Sequence, residues 1–415
     1  MKIKIISKIV FLFLLMSGEV HAQLSKNSGV EGASTFESQS KIDSSQMYFT
    51  NPIRPYGADP WVIQTDGKYY FSESNGISLI VVHEFDKLSD LARPTKSQRV
   101  YDSSTTGIKL GDLWGPHINK INGEWYIYFC AHTTDHEGLS YQRMWVLKST
   151  TDSPFGPYRN MGEVLNSNNR DWAIDGSVLQ RANGDLYFVW SGISKVDIAN
   201  DSYIQRTYIA KMLSPTRIDR STITVISSPT NRWEKFGAPI QEGQRPLYID
   251  KDGKSIIMYS ASFSGTDDYC LGSLTHVDGD FLNPESWKKS SKPVFRKTDK
   301  VFGPGGASYV KSPDGKENWI IYHAAQKKGS GWARNIRMQK FTFDENNNPV
   351  FGKPIAPGVQ IPVPSGDYVP TGIGYLSSDA QESADSPVYE LSGKQIKTVL
   401  KGGVYIQGGK KKIMK

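Results

Sequence analysis

The sequence predicts an all-β chain folded as a five-bladed β-propeller, and an internal repeat is the main reason. Five segments share one plan: an apolar strand, a turn containing glycine, and a second strand rich in aromatic residues. They open at Asp59, Gly115, Asp175, Glu242 and Gly305, so successive starts are 56, 60, 67 and 63 residues apart. A period of tens of residues marks a repeat architecture. The second observation is the turn in each copy: Asp66-Gly67, Asn122-Gly123, Asn183-Gly184, Asp252-Gly253 and Asp314-Gly315. These dipeptides supply the positive φ angles that two-residue hairpins require. The third is composition: 415 residues with 38% apolar residues and 12% aromatics can bury a large core, which excludes disorder and collagen-like repetition. Radial repetition of such units leaves only short, protected edges. A β-sandwich with accidental spacing is the alternative.

From the N-terminus, residues 1–22 join a lysine-bearing start, an apolar run from Ile9 to Met16 and a small-residue site at Val20-His21-Ala22. This reads as a secretory signal peptide cleaved after Ala22. The apolar run is far short of the roughly 20 residues of a spanning helix, so no membrane span is expected. Residues 23–45, rich in Ser, Gly and charge, read as a flexible leader. The propeller domain is expected over 46–366. Residues 367–415 read as a linker and a C-terminal tail of short β-like runs ending in lysines. The tail resembles sorting segments of exported bacterial proteins; a degenerate hairpin with a solvated lysine cluster is the other reading. The chain is thus expected to be exported, and to be periplasmic, on the cell surface or secreted in a Gram-negative bacterium.

The formal charge of +7 is concentrated at the ends, with +2 in residues 1–22 and +3 in residues 376–415. The middle carries too little for a nucleic-acid footprint. Cys130 and Cys270, each in a strand-like apolar run, read as buried free thiols.

In a propeller the first strand of each blade lines the central channel, so the residues opening the five first strands gather at one mouth. Three of them, Asp59, Asp175 and Glu242, are acidic. Carboxylates crowded in a partly dry site push their pKa values apart, which lets one site hold a protonated acid beside an ionised base. Glycosidic bond cleavage needs that arrangement.

Asp59, Asp175 and Glu242 in the settings Ala-Asp-Pro-Trp, Ala-Ile-Asp-Gly-Ser-Val and Gln-Glu-Gly resemble the catalytic set of glycoside hydrolase family 43. The stretches NRDWAIDGSVL, YSASFSGTDDYCLGSL, VFGPGGASYVKSPDGKENWIIYHA and PVFGKPIAPGVQIPVPSG look like its α-L-arabinofuranosidase-type members. The resemblance runs from about Asn51 to Gly366. It implies Asp59 as general base, Glu242 as general acid and Asp175 as the residue that tunes and orients the acid. It also implies inversion, with base and acid about 6.5–9.5 Å apart.

The sequence departs from the family pattern at three places. His117 stands where many members carry Glu, and Gly306-Ala307 where many carry a Gly-His-Asn run. That histidine often contacts a cation on the propeller axis, so the resemblance no longer implies a structural calcium here, and no cofactor is expected to be required for catalysis. His117 is expected either to fill part of the axial space or to be satisfied by nearby backbone. Third, Arg245 in Glu-Gly-Gln-Arg-Pro is expected to approach the acid and lower its pKa.

Trp61, Trp114 and Trp172 lie near the channel mouth, where aromatic faces stack on sugar rings. Arg337 matches a family arginine that reaches the active site from blade five, with Arg334 as the competing candidate; either fork suits paired hydroxyls. His323 reads as a structural inner-strand residue. The expected partner is a plant cell-wall oligosaccharide or polysaccharide, and the expected reaction is release of terminal α-L-arabinofuranosyl units from arabinan or arabinoxylan. A β-D-xylosidase on the same scaffold and a non-catalytic carbohydrate-binding propeller are the alternatives, with endo-action a further one.

Overall fold

The computed structural model describes residues 48–135, 141–165, 172–200, 202–248, 255–367, 388–390, 395–396, 404–407 and 410–413. The expected signal peptide (1–22), flexible leader (23–45) and most of the linker before the tail lie outside the described residues.

Blade one comprises strands Trp61–Thr65, Lys68–Ser74, Leu79–Phe85 and Lys96–Asp102. Blade two comprises Leu110–Ile121, Glu124–Thr133, Arg143–Ser149 and Tyr158–Glu163. In blade three Trp172–Gln180, Leu186–Ile193 and Arg206–Ser214 run side by side, and both Arg217–Ile218 and Thr224–Ser227 pair with the last of these. Blade four comprises Gln241–Tyr248, Ser255–Ala261, Cys270–His276 and Trp287–Lys289. Blade five comprises Phe302–Lys311, Asn318–Ala325, Arg334–Phe343 and Pro349–Val350. All pairings are antiparallel, as hairpin connections require. The turns at Asp66-Gly67 and Asn122-Gly123 have both central residues at positive φ.

The ring closes because strand alternation gives every sheet two apolar faces. Trp61 packs toward blade two, and its neighbour Val62 packs toward blade five. Separate apolar clusters fill the seams one–two, two–three, three–four, four–five and five–one. The last seam holds Val62, Tyr69 and Phe71 against Trp319, Ile321 and Met338. Tyr48–Thr50 pairs with Gln360–Pro362, and the Asn51 side chain both donates to Met338 O (2.9 Å) and accepts from Met338 N (3.0 Å). The first and last strands of the propeller unit are thereby pinned across that seam. The chain is a five-bladed propeller. Cys130 and Cys270 are buried and unpaired.

Residues 368–415 form a second compact unit. Its described strands are Val388–Tyr389, Gln395–Ile396, Val404–Gln407 and Lys410–Ile413, joined in one antiparallel sheet.

Candidate active site

Each blade has a residue in the left-handed region at the corresponding place near the start of its first strand: Asp59 (φ 46°), Gly115 (49°), Asp175 (56°), Gly243 (62°) and Gly306 (54°), with Asp112 (51°) and Gly303 (54°) three residues earlier in blades two and five. The first five are the equivalent positions of the repeat. In blades two to five the register slips across them, leaving a bulge that turns the backbone into the channel mouth. Glu242 and Gly305 therefore sit one residue before the equivalent position, a correction to the repeat alignment read from sequence. Asp59 and Asp175 hold a conformation that costs an L-residue roughly 1–2 kcal/mol, a strain found where a side chain must be aimed.

The Asp59 N–H donates to His323 Nδ1 at 3.0 Å, and Asp59 Oδ1 lies 3.3 Å from the same nitrogen. Since Nδ1 accepts that bond, the proton of the neutral ring is on Nε2. Burial pushes His323 down to about 4. Burial also pushes the Asp59 carboxyl up, but the His323 ring, which is protonated in the acid range where Asp59 titrates, together with Arg334 and Arg245 outweighs it and holds it well below the usual carboxylate range. Arg334 Nη1 is 3.9 Å from Asp59 Oδ2, and its Nη2 donates to Ser264 O at 2.8 Å. Asp59 keeps about a third of its side chain exposed, so it is an ionised base open to water.

Glu242 is the opposite case. It is 7% exposed, and burial together with the charge of Asp175 pushes its carboxyl up to about 8. At neutral pH it carries a proton. Tyr269 donates its hydroxyl to Glu242 Oε1 at 2.9 Å, so the transferable proton sits on Oε2. Asp175 is intermediate in acidity between the two. Burial raises it to about 6 against the pull of Arg245, and its Oδ2 accepts the N–H of Gly243 at 2.9 Å.

Residues 49–349 match the family described as glycosyl hydrolases family 43. The chain belongs to this family. Over 328 residues it is 34% identical to an extracellular exo-α-(1→5)-L-arabinofuranosidase of Streptomyces avermitilis, a match covering 76% of this chain and 66% of that enzyme. Over 375 residues it is 27% identical to α-L-arabinofuranosidase B of Pyricularia oryzae, covering 87% of this chain and 75% of that one. The crystal structure of an α-L-arabinofuranosidase from Lactobacillus brevis superposes with a TM-score of 0.67 at 28% identity, covering 75% of this chain and 98% of that one. Family 43 enzymes are inverting glycosidases that generally need no cofactor, and membership implies a carbohydrate substrate.

Beside these three acids the other predicted residues divide. Trp61 is buried; its ring stacks on His117 (centroids 4.4 Å apart), the Arg245 guanidinium lies 5.2 Å from its centre, and its Nε1 donates to Ile118 O. It floors the site, with no face left for a sugar to stack on. Trp172 is 8% exposed within the seam between blades two and three. Trp114, immediately before Gly115, is half-buried against the same seam. His117 is fully buried with its ring turned inward, Nδ1 donating to Gly176 O at 3.0 Å and Nε2 without a partner. Backbone satisfies one nitrogen, and the other lies 3.9 Å from where a Cβ on Gly115 would stand, a point that Asp175 Oδ1 borders at 3.4 Å.

Two arginine expectations are corrected. Arg337 is 2% exposed and points away from the acids, opposite Tyr322 on the neighbouring strand, with Nε and Nη1 unpartnered. An odd spacing of three along a strand puts Arg334 and Arg337 on opposite faces, and only Arg334 faces Asp59. Arg245, expected at Glu242, instead donates Nη1 to Asp175 O at 3.3 Å and pulls on Asp175 and Asp59. The bulge between Glu242 and Arg245 re-aims it. Sequence reasoning missed the roles of His323 and Tyr269, which stack on each other at 5.7 Å with ring planes 6° apart. Their signal was positional: each lies at the mouth end of a second or third strand.

Proposed function

We propose that this family 43 chain is an exported α-L-arabinofuranosidase that removes terminal units from plant arabinan or arabinoxylan by single displacement. The observation that carries this reading is the pairing of an ionised, water-accessible Asp59 with a protonated Glu242, which burial and the charge of Asp175 keep protonated. Asp59 takes a proton from water as the oxygen attacks the anomeric carbon. Glu242 Oε2 gives its proton to the departing glycosidic oxygen, so the bond breaks to a neutral alcohol and the configuration inverts. Each acid ends in the opposite protonation state, and exchange with solvent resets both. The similarity to two proteins named as arabinofuranosidases supports the choice of sugar, and the relative named as extracellular supports export.

The test is the initial rate of the mature protein on aryl α-L-arabinofuranoside and aryl β-D-xyloside, with Asp59→Asn as the blank. Preference for the arabinoside is expected. Preference for the xyloside keeps the mechanism and changes the sugar, and hydrolysis of neither points to endo-action or a binding propeller.

A further inference from the structure

Arg245 is the most deeply buried arginine among the described residues, only 1% exposed. Its Nη1 donates to Gln244 O (3.0 Å), Asp175 O (3.3 Å) and Ser177 Oγ (3.4 Å), while Nε and Nη2 have no partner. Among the described residues no carboxylate oxygen comes within ion-pair distance of it, although Asp59 and Asp175 both lie in its field. A buried charge without a contacting counter-ion is costly, and folds retain one where its field is used.

We propose that Arg245 is a positioning residue that supplies a fixed positive charge beneath the Asp59–Asp175–Glu242 cluster, taking the place of a bound metal ion. The residues present do not fit a metal there. Hard cations need several oxygen ligands, whereas blades two and five open on Gly115 and Gly306 and the buried guanidinium keeps two nitrogens, Nε and Nη2, without acceptors. Of the inner histidines, His323 presents an N–H and only His117 presents a lone pair. Stacking over Trp61 and the bond to Asp175 O fix where the charge sits. The groups facing it are Asp59, Asp175, Tyr269, Tyr309, His117 and His323, with Arg334 as the second cation of the site.

This inference rests on the acid and base assignments above, and its test separates the two. Profiles of kcat/KM against pH are recorded for wild type, Arg245→Lys and Arg245→Met on an α-1,5-linked arabinobiose, with melting temperatures alongside. Loss of the charge should move the acid limb of Arg245→Met upward by about one pH unit. Arg245→Lys should keep the wild-type limb while melting lower, because it retains charge and loses the fork. A folded Arg245→Met with an unmoved limb overturns the proposal. So does an Arg245→Lys limb that moves as far as that of Arg245→Met. If Arg245→Met does not fold, Arg245→Gln is read the same way, and wild type itself gives a second reading: chelation should leave kcat unchanged, and a fall restored by calcium contradicts the proposal. If wild type cleaves neither arabinobiose nor the aryl arabinoside, the functional reading fails instead.

Discussion

Asp175 Oδ2 accepts the main-chain N–H of Gly243 at 2.9 Å. The acid of blade three is thereby bonded to the residue following the acid of blade four, so in the proposed mechanism Asp175 acts on Glu242 through position as well as charge. The two effects can be separated. Asp175→Asn keeps an acceptor for Gly243 but removes the charge that helps to raise Glu242, so the basic limb of its pH profile should move below about 8. Asp175→Ala should add a loss in kcat on unactivated substrates, as the acid loses its tether. Identical profiles for the two variants would deny the tether any part.

The wild-type profile itself follows from the site. Asp175 must be ionised and Glu242 protonated, so kcat/KM should rise through about pH 6 and fall through about pH 8. These apparent values belong to the coupled cluster. A flat profile from pH 6 to 9 would contradict the assignment of Glu242 as the acid.

Glu242→Gln removes the proton donor while nearly preserving shape. Turnover should fall about 10²–10⁴-fold on arabino-oligosaccharides and far less on aryl arabinosides with good leaving groups. Its stability should also change with pH in a set direction. The native Glu242 carboxyl is raised from 4.5 to about 8, so the stability tied to its proton is present below about 4.5 and is lost as pH rises through about 8. Thermal melts should therefore show Glu242→Gln gaining on wild type between pH 5 and 9, and a constant difference would contradict the raised acid.

Blade five tests the seat of the base. Gly306 has φ 54°, and a methyl group there would lie 2.5 Å from both Asp59 Oδ1 and His323 Cε1. Gly306→Ala should lower kcat at least about tenfold and cost roughly 1–3 kcal/mol in denaturant unfolding. His323→Ala leaves the Asp59 N–H without its acceptor and should cost roughly 1–3 kcal/mol with a parallel loss of kcat. Wild-type kinetics in either variant would remove that residue from the account.

The blade count was legible because hairpin turns and strand composition are local: Asp66-Gly67 and Asn122-Gly123 announce their turns within two residues. The three acids were legible because they recur near one repeat position. The bulges were not, because a slip of one residue changes hydrogen bonding without changing composition, and this is why Glu242 was aligned one position early. Arg334 and Arg337 differ in facing only once the strand's start is fixed. His323 and Tyr269 reach the site from second and third strands of blades that the sequence does not place beside Asp59. Trp61 read as a sugar platform because it is aromatic and near the mouth, but strand alternation turns it inward onto His117.

The most direct test of the pairing of Asp59 with Glu242 is proton NMR of the first sugar released from an aryl α-L-arabinofuranoside, taken before mutarotation. The account predicts that β-L-arabinofuranose appears first, with no product from Asp59→Asn. Initial release of the α-anomer would contradict single displacement and the roles given to both residues.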